Sequence, residues 1–65
     1  MKITRTMVET EYSDLKARYL NGELDHGYHD VCSIKALHPS LKVRAAAYFL
    51  MNDIEKGVVR FGEVA

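Results

Sequence analysis

The chain has 65 residues, of which 48% are hydrophobic and 28% are charged, and its nine basic and nine acidic residues balance to zero net charge. This composition excludes a chain that is disordered throughout, and the length predicts one domain over residues 1–65. A domain of about 60 residues buries only about 60% of the surface that its unfolded chain exposes. Because so small a core can hardly enclose an enzyme pocket, commonly about 300–1,000 Å³, we expect a protein that is not an enzyme and needs no cofactor.

The sequence also argues against a membrane or a secretory route. Its longest apolar run, residues 45–51, has seven residues, whereas a membrane-spanning helix needs roughly 18. The N-terminal residues 2–6 are mainly polar and do not resemble a signal peptide. The single cysteine, Cys32, cannot form a disulfide within the chain. We therefore expect no membrane contact and a reducing, cytoplasmic setting.

The first predicted helix runs from about residue 7 to residue 20. Thr6 and Glu9 fit a capping box at its start, in which each side chain would accept a hydrogen bond from the other residue's backbone amide. Asn21 and Gly22 end it, because both residues tolerate a left-handed backbone. Four apolar side chains at spacings of four, three and four residues form one narrow stripe that should face the core: Val8, Tyr12, Leu15 and Tyr19.

Two further helices are predicted, over about residues 28–37 and residues 40–56. The first has a weak apolar edge at three-residue spacing and ends before Pro39, since the residue preceding a proline disfavours helix. The second begins after Ser40, which fits an N-cap, and ends at Gly57, which fits a terminator. The weak edge of the first consists of Val31, Ile34 and Leu37.

These elements predict a mainly α fold, a three-helix small domain in which helix 40–56 is the central helix. The two chain ends are rich in β-branched residues, which also allows short strands over residues 2–5 and 58–64. An isolated two-stranded pair of this kind is marginally stable in water.

The third helix has apolar residues on nearly its whole circumference, which is unusual for a surface helix. At about 100° per residue, Leu41, Ala45 and Tyr48 form one face with Phe49 beside it. A second face lies roughly opposite and consists of Val43, Ala47, Leu50 and Ile54. Leaving about 300 Å² of apolar surface in water forgoes roughly 7 kcal/mol, more than the net stability of many small domains.

The apolar circumference therefore predicts that this helix binds a partner. We expect a protein–protein interaction module, an adaptor, regulator or inhibitor of a larger macromolecule, that docks onto another protein, onto itself as a homodimer, or both. The alternative is an ordinary core, in which the two chain ends cover the remaining side through Ile3, Val59 and Phe61. The predicted partner-binding residues are Val43, Ala47, Tyr48, Phe49, Leu50, Met51 and Ile54.

A basic stretch supports a second interpretation. The range from Val31 to Asn52 contains no acidic residue but includes the basic residues Lys35, Lys42 and Arg44. The second and third helices with their short connection could form a helix-turn-helix that binds the DNA major groove. Against nucleic acid stands the zero net charge of the chain, which weakens attraction to phosphates.

A third interpretation is a small metal-binding domain. Imidazole and thiolate are ordinary zinc ligands, and a metal would compensate for a small core. The weak candidates are His26, His29, Cys32 and His38. Their spacing matches no common zinc pattern, so we predict no metal. His29 and Cys32 also resemble a base and a nucleophile, but no oxyanion donors or glycine-rich elbow accompany them.

Overall fold

The computed structural model describes residues 2–63, which form three helices: α1 (Arg5–Leu20), α2 (Tyr28–Leu37) and α3 (Leu41–Glu55). The central helix is α3, because it packs against both α1 and α2, whereas α1 and α2 do not approach each other closely within this part of the chain. The predicted mainly α domain with a central third helix is confirmed. None of these three helices is both long and apolar enough to cross a bilayer.

The predicted terminal strands are wrong for the residues that the structure describes. The range 2–5 is not a strand, because α1 begins inside it. The range 58–64 consists of turns and bends as far as it is described, and its last residue lies outside the described residues. The backbone amides of Val58 and Val59 both donate to the carbonyl of Asp53, at 3.0 and 3.4 Å. These bonds turn the chain back onto the end of α3, so that it cannot extend as a strand.

The N-terminus of α1 also differs from the predicted capping box. The N-cap is Thr4, whose hydroxyl accepts a 3.2 Å hydrogen bond from the amide of Met7. Thr6 lies inside the helix, and Glu9 pairs with Arg5 at 3.7 Å. Because an earlier threonine offers the same hydroxyl, the helix begins two residues before the predicted position.

The core consists of eight buried side chains, contributed by all three helices and by the two segments that follow α1 and α3. The predicted stripe of α1 is confirmed as its inward face, because two of its members are buried and the other two pack against the core. The buried residues are Leu15, Tyr19, Leu24, Val31, Ala46, Ala47, Leu50 and Val59.

The segment after α3 covers the connection between α1 and α2. The ring of Phe61 packs edge-to-face on Tyr19, with ring centroids 5.3 Å apart. The amide of Gly62 donates to the Tyr19 carbonyl at 3.1 Å. Phe61 also lies over Gly27, where an added β-carbon would approach its ring to 3.3 Å. The chain end thus covers the connection between the helices.

We predict that Gly27→Ala destabilises the domain more than Gly57→Ala. Both glycines have positive φ, 54° and 78°, so both alanines strain the backbone. An alanine at Gly57 meets nothing within 4 Å, whereas one at Gly27 crowds Phe61. We expect a loss of about 1–3 kcal/mol for Gly27→Ala, measured by thermal or urea unfolding. Equal losses in the two variants would contradict a close contact between Phe61 and Gly27.

Candidate docking surface

One side of α3 faces away from both neighbouring helices. We call it the outer face, and it consists of Leu41, Ala45, Tyr48, Phe49 and Asn52. Its three large apolar side chains, Leu41, Tyr48 and Phe49, are 56%, 48% and 53% exposed. The two aromatic rings meet edge-to-face with centroids 5.6 Å apart. The outer face is therefore an apolar surface that the described chain leaves open to water.

The opposite side of α3 forms the core. Ala47 and Leu50 are fully buried there, so a partner cannot reach these two predicted binding residues in this structure. Val43, Met51 and Ile54 are half-buried and pack against the core cluster. Of the seven predicted binding residues, Tyr48 and Phe49 lie on the exposed surface. The two apolar faces are about half a turn apart, so burying one against α1 and α2 leaves the other outside.

A groove between α1 and α3 continues the outer face past Phe49. It has a volume of about 620 Å³ and an apolar wall formed by Val8, Tyr12 and Phe49, with polar groups at its edge. Its full lining is Arg5, Val8, Glu9, Tyr12, Phe49 and Asp53. The sequence pattern does not reveal this groove, because its walls come from residues that are 37 or more positions apart in the chain.

Two tyrosine hydroxyls attach α1 and α2 to the C-terminal part of α3 by hydrogen bonds. The Tyr12 hydroxyl of α1 donates to the Asp53 carboxylate, and the Tyr28 hydroxyl of α2 donates to the Glu55 carboxylate. Burial, and then the hydrogen bond and charge of Asp53, raise the pKa of Tyr12 from 10.0 to about 12. The hydrogen bond to Glu55 is the largest cause that raises the pKa of Tyr28. Both phenols thus remain neutral donors near neutral pH.

The predicted basic residues each contact a group of the chain itself. The Lys42 ammonium lies 3.8 Å from the Glu11 carboxylate. A guanidinium nitrogen of Arg44 donates to the His38 carbonyl. The ammonium of Lys35 lies 5.9 Å from the centre of the Tyr48 ring, so these charges border the outer face.

The histidine and cysteine candidates are exposed, half-buried or hydrogen-bonded within the chain. The ring of His38 accepts from the Ser40 amide at 3.0 Å, and Cys32 is a half-buried free thiol. His26 and His29 are exposed. Across residues 2–63, no cluster of three or more histidine, cysteine or acidic side chains is placed to hold a metal ion.

We predict opposite outcomes for aspartate on the two faces of α3. Leu50→Asp buries a charge at a fully enclosed position, so the domain should unfold. Phe49→Asp places the same charge on the exposed face and should keep the helical circular dichroism and a cooperative melt. If both variants unfold, α3 is enclosed on all sides and has no separate outer face.

We predict that Tyr12 titrates near pH 12 and that its bond to Asp53 stabilises the fold only while the phenol is protonated. Because the folded pKa is raised, this contribution is complete below the unfolded pKa near 10 and is lost as pH rises through about 12. Absorbance titration of wild type should show a component that Tyr12→Phe lacks and that Asp53→Asn shifts to lower pH. Identical titrations of wild type and Tyr12→Phe would contradict this contact.

Comparison with known proteins adds no relative: no family model, curated protein or solved structure matches the chain.

Proposed function

We propose that this chain is a small protein–protein interaction module, an adaptor, regulator or inhibitor, that docks through the outer face of α3 and performs no chemistry itself. The observation that carries the proposal is the pair of half-exposed rings, Tyr48 and Phe49, beside the exposed Leu41. Aromatic side chains at the centre of an apolar surface are the residues that most often dominate binding energy at interfaces.

The energetics favour binding at this position over permanent exposure. Each square ångström of apolar surface removed from water contributes roughly 25 cal/mol. The rings stand on a helix whose opposite side holds the fully buried Ala46, Ala47 and Leu50. Their backbone is thus fixed before a partner arrives, which lowers the entropy cost of association.

A protein partner fits this surface better than nucleic acid does. The helix that carries Lys42 and Arg44 also carries the acids Asp53 and Glu55, and the net charge of the chain is zero. Phosphate binding depends on several cations acting together, because the affinity grows with each neutralised phosphate. The proposal places the protein in a reducing compartment, where the lone thiol of Cys32 remains free.

The test compares three forms of the protein as immobilised bait: wild type, Tyr48→Gln/Phe49→Gln, and Val58→Gln. Val58 is 70% exposed and lies outside the outer face, so its variant is a matched control for loss of an exposed apolar side chain. We expect wild type and Val58→Gln to retain the same protein, a second copy of the chain included, and Tyr48→Gln/Phe49→Gln to lose it while still folded. A fall in retention of at least about tenfold corresponds to about 1.4 kcal/mol.

Retention that is equal in all three forms would refute docking through the outer face. Loss in both variants would show that any exposed apolar side chain contributes equally, and would refute the proposal as well. Duplex DNA retained by wild type and lost in Lys42→Ala/Arg44→Ala would replace it with the nucleic-acid function.

A further inference from the structure

We propose that the outer face of α3 pairs with the same face of a second copy of this chain, with the two α3 helices antiparallel and related by a two-fold axis beside Tyr48 and Phe49. This inference rests on the proposed docking function and names the partner. The charges that border the outer face are complementary to those of a second copy in this orientation.

Within α3, each border of the outer face carries one base and one acid, separated by eleven residues, and Lys35 of α2 adds a further base on the α2 side. Lys42 and Asp53 form the first pair, and Arg44 and Glu55 form the second. Eleven residues span about 16.5 Å and about three full turns of helix, so the members of each pair lie on the same side of α3. In both pairs the base is nearer the N-terminus.

The contacts of these four residues confirm which border each one occupies. Lys42 and Asp53 both contact α1, through the carboxylate of Glu11 and the hydroxyl of Tyr12. Arg44 contacts the His38 carbonyl at the end of α2, and Glu55 contacts the hydroxyl of Tyr28 in α2. One pair therefore follows the α1 border and the other follows the α2 border.

A two-fold axis between two α3 helices brings these charges together with opposite sign. Such an axis reverses the helix direction and keeps each border opposite the same border of the other copy. Lys42 then faces the partner's Asp53, and Arg44 faces the partner's Glu55. A parallel pairing would instead align like charges along each border.

The midpoints of the two pairs lie within two residues of each other and locate the axis near the middle of α3. One falls between residues 47 and 48 and the other between residues 49 and 50. Both are beside the exposed rings of Tyr48 and Phe49, so the aromatic pairs of the two copies meet at the centre. Antiparallel helices also place opposite dipole ends near each other. Charge, aromatic surface and helix direction thus indicate the same arrangement.

The remaining outer-face residues are compatible with close approach. Ala45 presents a single methyl group near the middle of the face, which lets a second helix come near. The groove beside Phe49 lies on the α1 border and has a volume of about 620 Å³, enough for an aromatic side chain of the second copy.

The carboxylates remain available to a second copy. Each accepts one hydrogen bond from a phenol, and a carboxylate has two oxygens with about four acceptor positions. The phenols hold Asp53 and Glu55 in fixed orientations, and the zero net charge avoids overall repulsion between copies. A single helix face is small for an interface, so we expect association in the micromolar range.

The first experiment measures mass by sedimentation equilibrium over a concentration series from micromolar to about 1 mM, chosen to span weak dissociation constants. Wild type and Val58→Gln should shift from 7.4 kDa toward twice that mass. Tyr48→Gln/Phe49→Gln should stay monomeric, with circular dichroism and a thermal melt to verify that it folds.

The second experiment tests the antiparallel direction by exchanging charges. Arg44→Glu and Glu55→Arg should each weaken dimerisation at least about tenfold, because the two-fold axis repeats every altered contact. The double variant Arg44→Glu/Glu55→Arg restores opposite charges across the axis and should recover most of the affinity. The two positions are about 16.5 Å apart along one helix, so they cannot compensate each other within a monomer. Glu63→Arg changes the net charge by the same amount and sign as Glu55→Arg and serves as the control for that variant.

The outcomes separate this inference from the proposed function. A wild type that stays monomeric throughout would overturn self-pairing, and retention of another protein by the outer face would then still support docking. A dimer that Tyr48→Gln/Phe49→Gln does not weaken would overturn self-pairing through this face. Loss of dimer in both single charge variants without recovery in the double variant would overturn the antiparallel arrangement.

Discussion

The packing of α3 against both other helices is the interaction on which the rest of the structure depends. Because α1 and α2 have no close approach to each other among residues 2–63, each is held in place chiefly by its contact with α3. Ala46, Ala47 and Leu50 are fully buried in that contact. A helix that holds two neighbours on one side has its other side free, and here that free side is apolar.

The polar contacts between helices serve the same arrangement. Tyr12 and Tyr28 attach α1 and α2 to acids near the end of α3, and Lys42 attaches α3 to α1 near its start. These contacts border the outer face and fix its charges in position. A network that stabilises the monomer therefore also determines the charge pattern at the borders of the outer face.

The sequence predicted all three helices because the apolar spacing and the terminating residues that mark a helix are local features. The periodicity and terminators placed α2 at residues 28–37 as observed, and Asn21 and Gly57 lie where α1 and α3 end. The errors arose where two local signals compete, as with the two threonines near the start of α1. The predicted strand over residues 58–64 is wrong because the backbone amides of Val58 and Val59 donate to the carbonyl of Asp53. The β-propensity of the segment does not reveal this contact.

The candidate site was predicted in part. Two opposite apolar faces of α3 were evident from the spacing, but the sequence could not say which face the other helices would cover. Tyr48 and Phe49 lie outside, whereas Ala47 and Leu50 lie inside. The buried Leu24 and the groove at Phe49 were missed, since both depend on how segments distant in sequence are brought together.

The proposed function requires that the chain's own residues leave the rings of Tyr48 and Phe49 uncovered, so that a partner can cover them. Nuclear magnetic resonance with a soluble paramagnetic agent tests this directly through the relaxation of the ring protons. In dilute protein we expect strong relaxation of both rings, and at high concentration we expect protection that Val58 does not share. Rings that are already protected in the dilute monomer would contradict docking through the outer face.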